Sequence, residues 1–412
     1  MIEGAYYIQE LRNTTGSGFE LLFDSTKAAY TQFIDIGDDH IGVRRMLFVS
    51  SSDKPDFEFA SNLWWTRISI LASTLEVKTD GLKVRQLAYN TKSSLNMGGS
   101  HRCSIRGSTA ELVSLTSCQP QSNYPSSLRM QSFTCNSLHT IGYSACYTPD
   151  GTVAVYTHFQ DTDMKFYQDF DDRSSIFTPV WIYMPIDTGE YITEISRMNG
   201  IEGPYTHHIG LVLSTNLRTA MLAAHIPPPY LQHFRIRRIY TPPKSTSQIF
   251  FNHWASLDYS QILLMGVDQA QPDRPILDYP QALTPLSNPP SSIFWYYSTC
   301  SLVNVIEITP CYNRRKQYLP IIGLLLRYRN GHQSCIGQYR LDWTSQPMKV
   351  IGNQMQVAFD NGENYGEILA LNITVLKTID TSHLFWTNIP WSGTLDWWFT
   401  DEHCRLSHVN SL

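Results

Sequence analysis

His158, Asp161 and Asp163 stand in the stretch HFQDTD, and their types and spacing come nearest in this chain to acid–base chemistry. An imidazole beside two carboxylates can pass a proton, and the carboxylates can hold a cation. On a continuing strand Asp161 and Asp163 would share a face, because side chains alternate. The plainer reading is a polar strand exit. QDFDDRSS adds Asp169, Asp171 and Asp172 and reads as an acidic loop. His207 and His208 are adjacent, so a strand would point them to opposite faces and away from a shared metal. DEHCRLSH carries His403, Cys404 and His408, too few ligands at regular spacing for zinc. No metal and no cofactor is expected. The chain contains no G-x-S-x-G elbow, Walker loop, H-E-x-x-H or complete G-x-G-x-x-G.

The elements that must hold such groups read as strands. Of 412 residues, 42% are hydrophobic and only 16% charged, a balance that excludes general disorder. The 23 Tyr, 18 Phe and 10 Trp favour pleated, half-buried surfaces. A formal charge of -5 argues against a nucleic-acid partner, which needs a basic face. The basic clusters FRIRRIY (Phe234 to Tyr240) and NRRKQY (Asn313 to Tyr318) read as solvated turns or strand edges. The N-terminus shows no signal-peptide pattern and no stretch of 18 apolar residues occurs, so an intracellular, cytoplasmic chain without a membrane partner is expected. Eight cysteines without a C-x-x-C fit reduced thiols.

Along the chain, TRISILASTLEVKTDGLKVRQLAY alternates with period two around Asp80-Gly81. A Ser/Thr-rich stretch from Asn90 to about Ser137 reads as long loops with short strands. These features set residues 1–135 apart as an N-terminal β-rich region. The remaining 136–412 read as one β region with proline-rich surface excursions at IPPPY (Ile226 to Tyr230) and from Gln271 to Pro290. Helix content is expected to be low.

Inside 136–412 one pattern is written repeatedly. Moving from Ile192 to Val305, an offset of 113, places Glu194 on Glu307 and Ile195 on Ile308. The same offset places Ile209, Gly210 and Leu211 on Ile322, Gly323 and Leu324 without a gap. A further copy begins at Ile141. The outer two copies turn at Asp150-Gly151 and Asn330-Gly331, pairs that favour type I′ hairpins through positive φ. The middle copy lacks the turn glycine. Three hairpins, Ile141 to Phe159, Ile209 to His225 and Ile322 to Tyr339, would each leave an apolar face that only packing together can bury.

The stretch GEYITEISRMNG followed by IGLVLSTNLRT resembles jacalin-related lectins through Gly189, Glu190, Tyr191, Ile192, Thr215, Asn216, Arg218 and Thr219. The resemblance implies an all-β fold with a jacalin-like β-prism core, three four-stranded sheets suited to three hairpin copies. VWIYMPIDTGEYITEI, IIGLLLRYRNGHQSCIGQYRLD and IPWSGTLDWWF also resemble a large group of filamentous-fungal proteins, some with an F-box ahead of this region. No F-box helix is apparent here. Jacalin-type sugar sites use a Gly-x-x-x-Asp loop, and PWSGTLDWWF is the nearest match, with Gly393 to Asp396 one residue short. There Asp396 would accept sugar hydroxyls, and Trp391, Trp397 or Trp398 would stack on a sugar face. Adjacent tryptophans in a strand otherwise simply pack on opposite faces. The resulting expectation is a non-catalytic protein that binds a glycan or a protein surface. The alternatives are a cofactor-independent cyclase or isomerase of fungal secondary metabolism, and an interaction module of a fungal signalling assembly.

Overall fold

The computed structural model describes residues 8, 11, 33–39, 41–49, 63–69, 74–80, 82–90, 111–115, 129–148, 151–173, 178–200, 209–222, 234–253, 261–268, 274–275, 295–359, 368–372, 384–401 and 403–410. The chain is all-β: among these residues strands dominate, and no helix is long and apolar enough to cross a membrane. The IPPPY excursion, all of the Gln271–Pro290 excursion except Arg274–Pro275, the His207-His208 pair and most of the Ser/Thr-rich stretch lie outside the described residues.

Two compact units share the chain. The first comprises Met1–Cys135 together with Ser247–Pro272. Its sheets are a three-stranded one centred on Phe33–Asp38, the pair Thr74–Thr79 with Val84–Asn90, and a four-stranded one. The first unit thus takes a second segment from within 136–412. Ser247–Asn252 pairs along its whole length with Met130–Cys135, and Leu264–Val267 pairs with Glu111–Ser114, so the ladder draws this segment into the first unit.

The second unit, Asn136–Thr246 with Asp273–Leu412, contains all three hairpins. Gly142–Thr148 pairs antiparallel with Gly151–His158. Ile192–Gly200, Ile209–Thr215 and Thr219–Leu222 form the second copy as a three-stranded meander. Val305–Tyr312, Ile321–Tyr328 and Gln333–Gly337 form the third in the same order. The repeat extends to register. Ile192 pairs with Thr215 and Glu194 with Ser214, with Thr193 left over in a bulge. At the offset of 113, Val305 pairs with Tyr328 and Glu307 with Arg327, leaving Ile306 over. A bulge sharpens strand twist, and its recurrence marks a shared backbone shape. In the first copy the flanking strand is Val180–Pro185, which follows the hairpin in sequence rather than preceding it.

The first two copies belong to one eight-stranded sheet, joined by the single pair Ile209–Gly151, and the third to a seven-stranded sheet. Tyr296–Ser301, Thr394–Phe399 and Cys404–Val409 make a further three-stranded sheet. Alternation puts Ile322, Leu324, Leu326 and Tyr328 on one buried face; the last three are buried, and Arg327 is exposed. Ile322 departs from that face. It is the extra residue of a second bulge and packs instead beside Leu325 against Tyr183, Cys311 and Tyr339.

The segment read as an acidic loop is a helix, α1 (Lys165–Arg173). Asp163 accepts the Lys165 N–H at 3.0 Å and caps its start. Phe166, Tyr167 and Phe170 recur at helical spacing and pack around the Trp181 ring, with centroids 5.8, 4.6 and 5.6 Å away. Asp171 accepts from the buried Arg340 guanidinium at 2.8 and 2.9 Å. Arg340 also grips Asp342 and lies over the Trp343 ring at 3.9 Å.

Candidate functional site

Three loops and Lys244, all in the second unit, enclose an open groove of about 700 Å³. Residues 136–141 lead into the first hairpin, 159–162 leave it, and 186–191 carry the chain into the second copy. Asn136 fixes the floor. Its φ of 58 lies in the left-handed region that Asn tolerates through its short polar side chain. Its Oδ1 accepts the Ile192 N–H at 2.7 Å, and its Nδ2 donates to the carbonyls of Ile192 at 2.9 Å and Pro243 at 2.7 Å. The side chain thus completes backbone bonding that no strand supplies. Ile186 N–H donates to Ile141 O at 3.0 Å, tying two of the loops together.

The lectin-resembling residues build the third wall rather than its surface. Glu190 is buried. Its carboxylate accepts from Arg218 at 2.9 and 2.7 Å, from the Thr215 hydroxyl at 2.7 Å and from the Asp187 N–H at 3.0 Å. Burial pushes the Glu190 carboxyl up, but these donors outweigh it and the net shift is downward. Arg218 also donates to the carbonyls of Pro185 at 2.6 Å and Gln333 at 2.7 Å, so it clasps the second copy to the turn of the third. Asn216 Oδ1 accepts the Tyr191 N–H at 2.9 Å. Every polar group of the GE-Y…TN-RT pattern traced here is spent internally, and the result is a fixed loop presenting Thr188, Gly189 and the Tyr191 ring.

The groove surface is chemically mixed. Lys244 Nζ lies 5.0 Å over the Tyr191 ring, a cation–π distance. Asp161 is exposed on the 159–162 turn, which is closed by Phe159 N–H to Thr162 Oγ1 at 2.6 Å. Leu138, 97% exposed, forms part of the rim. One carboxylate acceptor, one ammonium donor and an aromatic ring therefore surround a single opening.

Of the acid–base trio, only Asp161 reaches this groove. His158 is fully buried, with Nε2 2.7 Å from Ser144 Oγ, which lies 2.8 Å from the Tyr167 hydroxyl. Burial pushes its pKa down to about 4, and rings of Phe166, Tyr167 and Tyr183 enclose it. Asp163 is committed to capping α1. The three do not converge, because the chain turns outward directly after His158. Burial also pushes the Cys300 and Cys311 thiols up to about 12, which keeps both protonated at neutral pH.

The tryptophan platform is not at a surface. Asp396, Trp397 and Trp398 are fully buried in the Thr394–Phe399 strand. Asp396 Oδ1 accepts from the Tyr297 and Thr299 hydroxyls, both at 2.8 Å, so the carboxylate is occupied. Trp398 packs on Tyr297, centroids 4.8 Å apart. Both faces of the strand are covered, so two neighbouring tryptophans can both be core. Gly393 serves the backbone: its φ is 70, and a Cβ there would lie 2.2 Å from Val409 O. Trp391 is half-buried. Among the described residues no three His, Cys, Asp or Glu side chains gather as metal ligands. Sequence reasoning missed Asn136 and Lys244, which lie far apart in the chain and belong to no motif.

Compared with known proteins, the chain matches no family model and no curated protein.

Proposed function

We propose that the protein is a non-catalytic binding protein whose ligand is a glycan, held in the groove between 136–141, 159–162 and 186–191. The observation that carries this reading is the gathering of Asp161, Tyr191 and Lys244 around one open groove of about 700 Å³. Sugars are bound by groups that accept and donate to hydroxyls beside an aromatic face, and pockets of this size hold small ligands. The ligand site is thus the 186–191 loop that GEY closes, and not PWSGTLDWWF. The jacalin-like β-prism belongs to the same proposal: the shared register of the second and third copies supports a common ancestral hairpin, with the first copy completing the set. A cyclase or isomerase finds little support, since His158 is sealed among aromatic rings away from the groove.

The exposed Leu138 on the rim favours a second reading, a protein surface as partner. A glycan array separates the two. Wild-type protein should give a signal that Asp161→Asn and Tyr191→Ala each reduce at least about tenfold, the scale of one lost charge-assisted hydrogen bond or stacking face. Far-UV spectra should stay unchanged. Absence of any glycan signal, or a signal indifferent to both substitutions, removes the glycan reading and leaves the protein partner.

A further inference from the structure

The third copy carries a surface that the second does not. Moved by the offset of 113, Glu190 falls on Val303 and Thr193 on Ile306. Where the second copy has its clasped carboxylate, the third has an aliphatic side chain that is 45% exposed. Where the second has the hydroxyl of its bulge, the third has an isoleucine that is 38% exposed. Ile351, 55% exposed, joins them, because the Val350 N–H donates to Ile306 O at 2.9 Å. Three large aliphatic side chains thus stand in water at one corner of the sheet. Single exposed apolar residues need no explanation, but a group of them rimmed by charge marks a contact surface.

The rim is basic. Arg327, Glu307 and Lys349 stand opposite one another on three neighbouring strands, so their side chains share a face. Arg327, 55% exposed, meets Glu307 at 3.7 Å. Arg329 and Lys349 are exposed and make no ion pair among the described residues. The Arg329 N–H donates to Asn304 O at 2.9 Å, which sets that residue beside Val303. Glu307 is the one carboxylate within 302–312, 321–337 and 348–353, against the cations of Arg327, Arg329 and Lys349, in a chain whose net charge is -5. The backbone is open as well. Phe234–Tyr240, which flanks the second copy, is followed outward by Arg274–Pro275. Met348–Lys349, which flanks the third, ends its sheet among the described residues. An edge of this kind accepts a further strand through its outward N–H and C=O groups.

We infer that this corner docks an extended acidic segment of a partner protein, laid beside Met348–Ile351. Residues two apart on such a strand point the same way. One face can therefore set aliphatic side chains on Val303, Ile306 and Ile351 and carboxylates on Arg327, Arg329 and Lys349. A nucleic acid or an anionic membrane offers charge but no strand to pair with the edge. The docking residues are not those of the groove, so the glycan reading is not needed here. Selection from a displayed library of short random peptides on the immobilised full chain should enrich sequences with Asp or Glu two positions from an aliphatic residue. The enriched peptide, synthesised, should bind in fluorescence anisotropy, with affinity falling as salt rises. Ile306→Asp should weaken binding about tenfold, through lost apolar contact. Lys349→Glu should weaken it about threefold, the scale of an exposed ion pair. Both positions are on the surface, so far-UV spectra should match wild type; if Ile306→Asp folds poorly, Ile351→Ser makes the same test outside the bulge. Bound peptide should also slow amide exchange at Lys349 and Ile351. Enriched peptides without acidic residues, or affinity that survives Ile306→Asp, Ile351→Ser and Lys349→Glu, would overturn the inference. So would tighter binding to a single-stranded uridine homopolymer or to phosphatidylserine vesicles than to the peptide.

Discussion

The second and third hairpin copies have the same backbone and opposite turns. Each pairs its first two strands in one register, carries the same bulge, and buries two leucines on one face: Leu211 and Leu213 in one, Leu324 and Leu326 in the other. Even a loop bond recurs, Asn216 N–H to Tyr191 O at 3.1 Å and Arg329 N–H to Asn304 O at 2.9 Å. At the turn they part. The third copy reverses on Gly331, whose φ is 87. The second has no glycine there and reverses on side-chain caps, Thr215 Oγ1 accepting from Leu217 at 3.1 Å and Arg218 at 3.0 Å. Moved by the offset of 113, Arg218 falls on Gly331 and Glu190 on Val303. The ionic clasp that fixes the groove wall thus exists in one copy only. Between these two copies the scaffold recurs and the clasp does not.

The strongest way to break this comparison is to cut both cores at equivalent places. Leu213→Ala and Leu326→Ala remove fully buried side chains, and each should cost about 2–5 kcal/mol of unfolding free energy in urea titrations. If one variant matched wild type while the other collapsed, the two faces would not be equivalent. A smaller effect sharpens the difference at the turns. Arg218→Ala strands a buried carboxylate, a loss of about 3–5 kcal/mol for a fully buried pair. The guanidinium is 21% exposed, so solvent reduces this to about 2 kcal/mol. Gly331→Ala meets no neighbour within 4 Å and strains only the backbone, at about 1 kcal/mol. Equal losses in the two would show that the clasp adds nothing to the turn.

The least effect is the one in acid. Glu190 has a carboxyl lowered from 4.5 in the folded state, so its proton is bound more readily when unfolded. Its stabilisation is complete above about 4.5 and disappears as pH falls through the lower folded value. Acid titrations of Glu190→Gln should therefore lose part of the wild-type slope below that point. An unchanged slope would mean that other carboxylates carry the acid sensitivity.

Several local features were open to inspection in the chain itself. The repeated hairpins, the Asn330-Gly331 turn and the buried phase of Leu324, Leu326 and Tyr328 follow from neighbours in sequence, because a hairpin's pairing and its alternation are set over a few residues. The tryptophan strand was not open in this way. Alternation alone puts Trp397 and Trp398 on opposite faces, and a protein with one bare face would have exposed one of them. Whether both faces are covered depends on what packs above and below that sheet, which the strand's own residues do not specify. The acidic segment became α1 for a similar reason: Phe166, Tyr167 and Phe170 acquired a purpose only once Trp181 lay beneath them.

What the chain determined by itself was its β character, its repeated unit and the turns between paired strands, all of them consequences of short-range sterics and side-chain alternation. Tertiary structure decided which of the chemical residues meet. It buried His158 and Asp396, returned Ser247–Pro272 to the first unit, and brought Asn136, Asp161, Tyr191 and Lys244 to one groove from separate loops. A site of that kind is a statement about distances between segments, and composition along one segment carries no information about those distances.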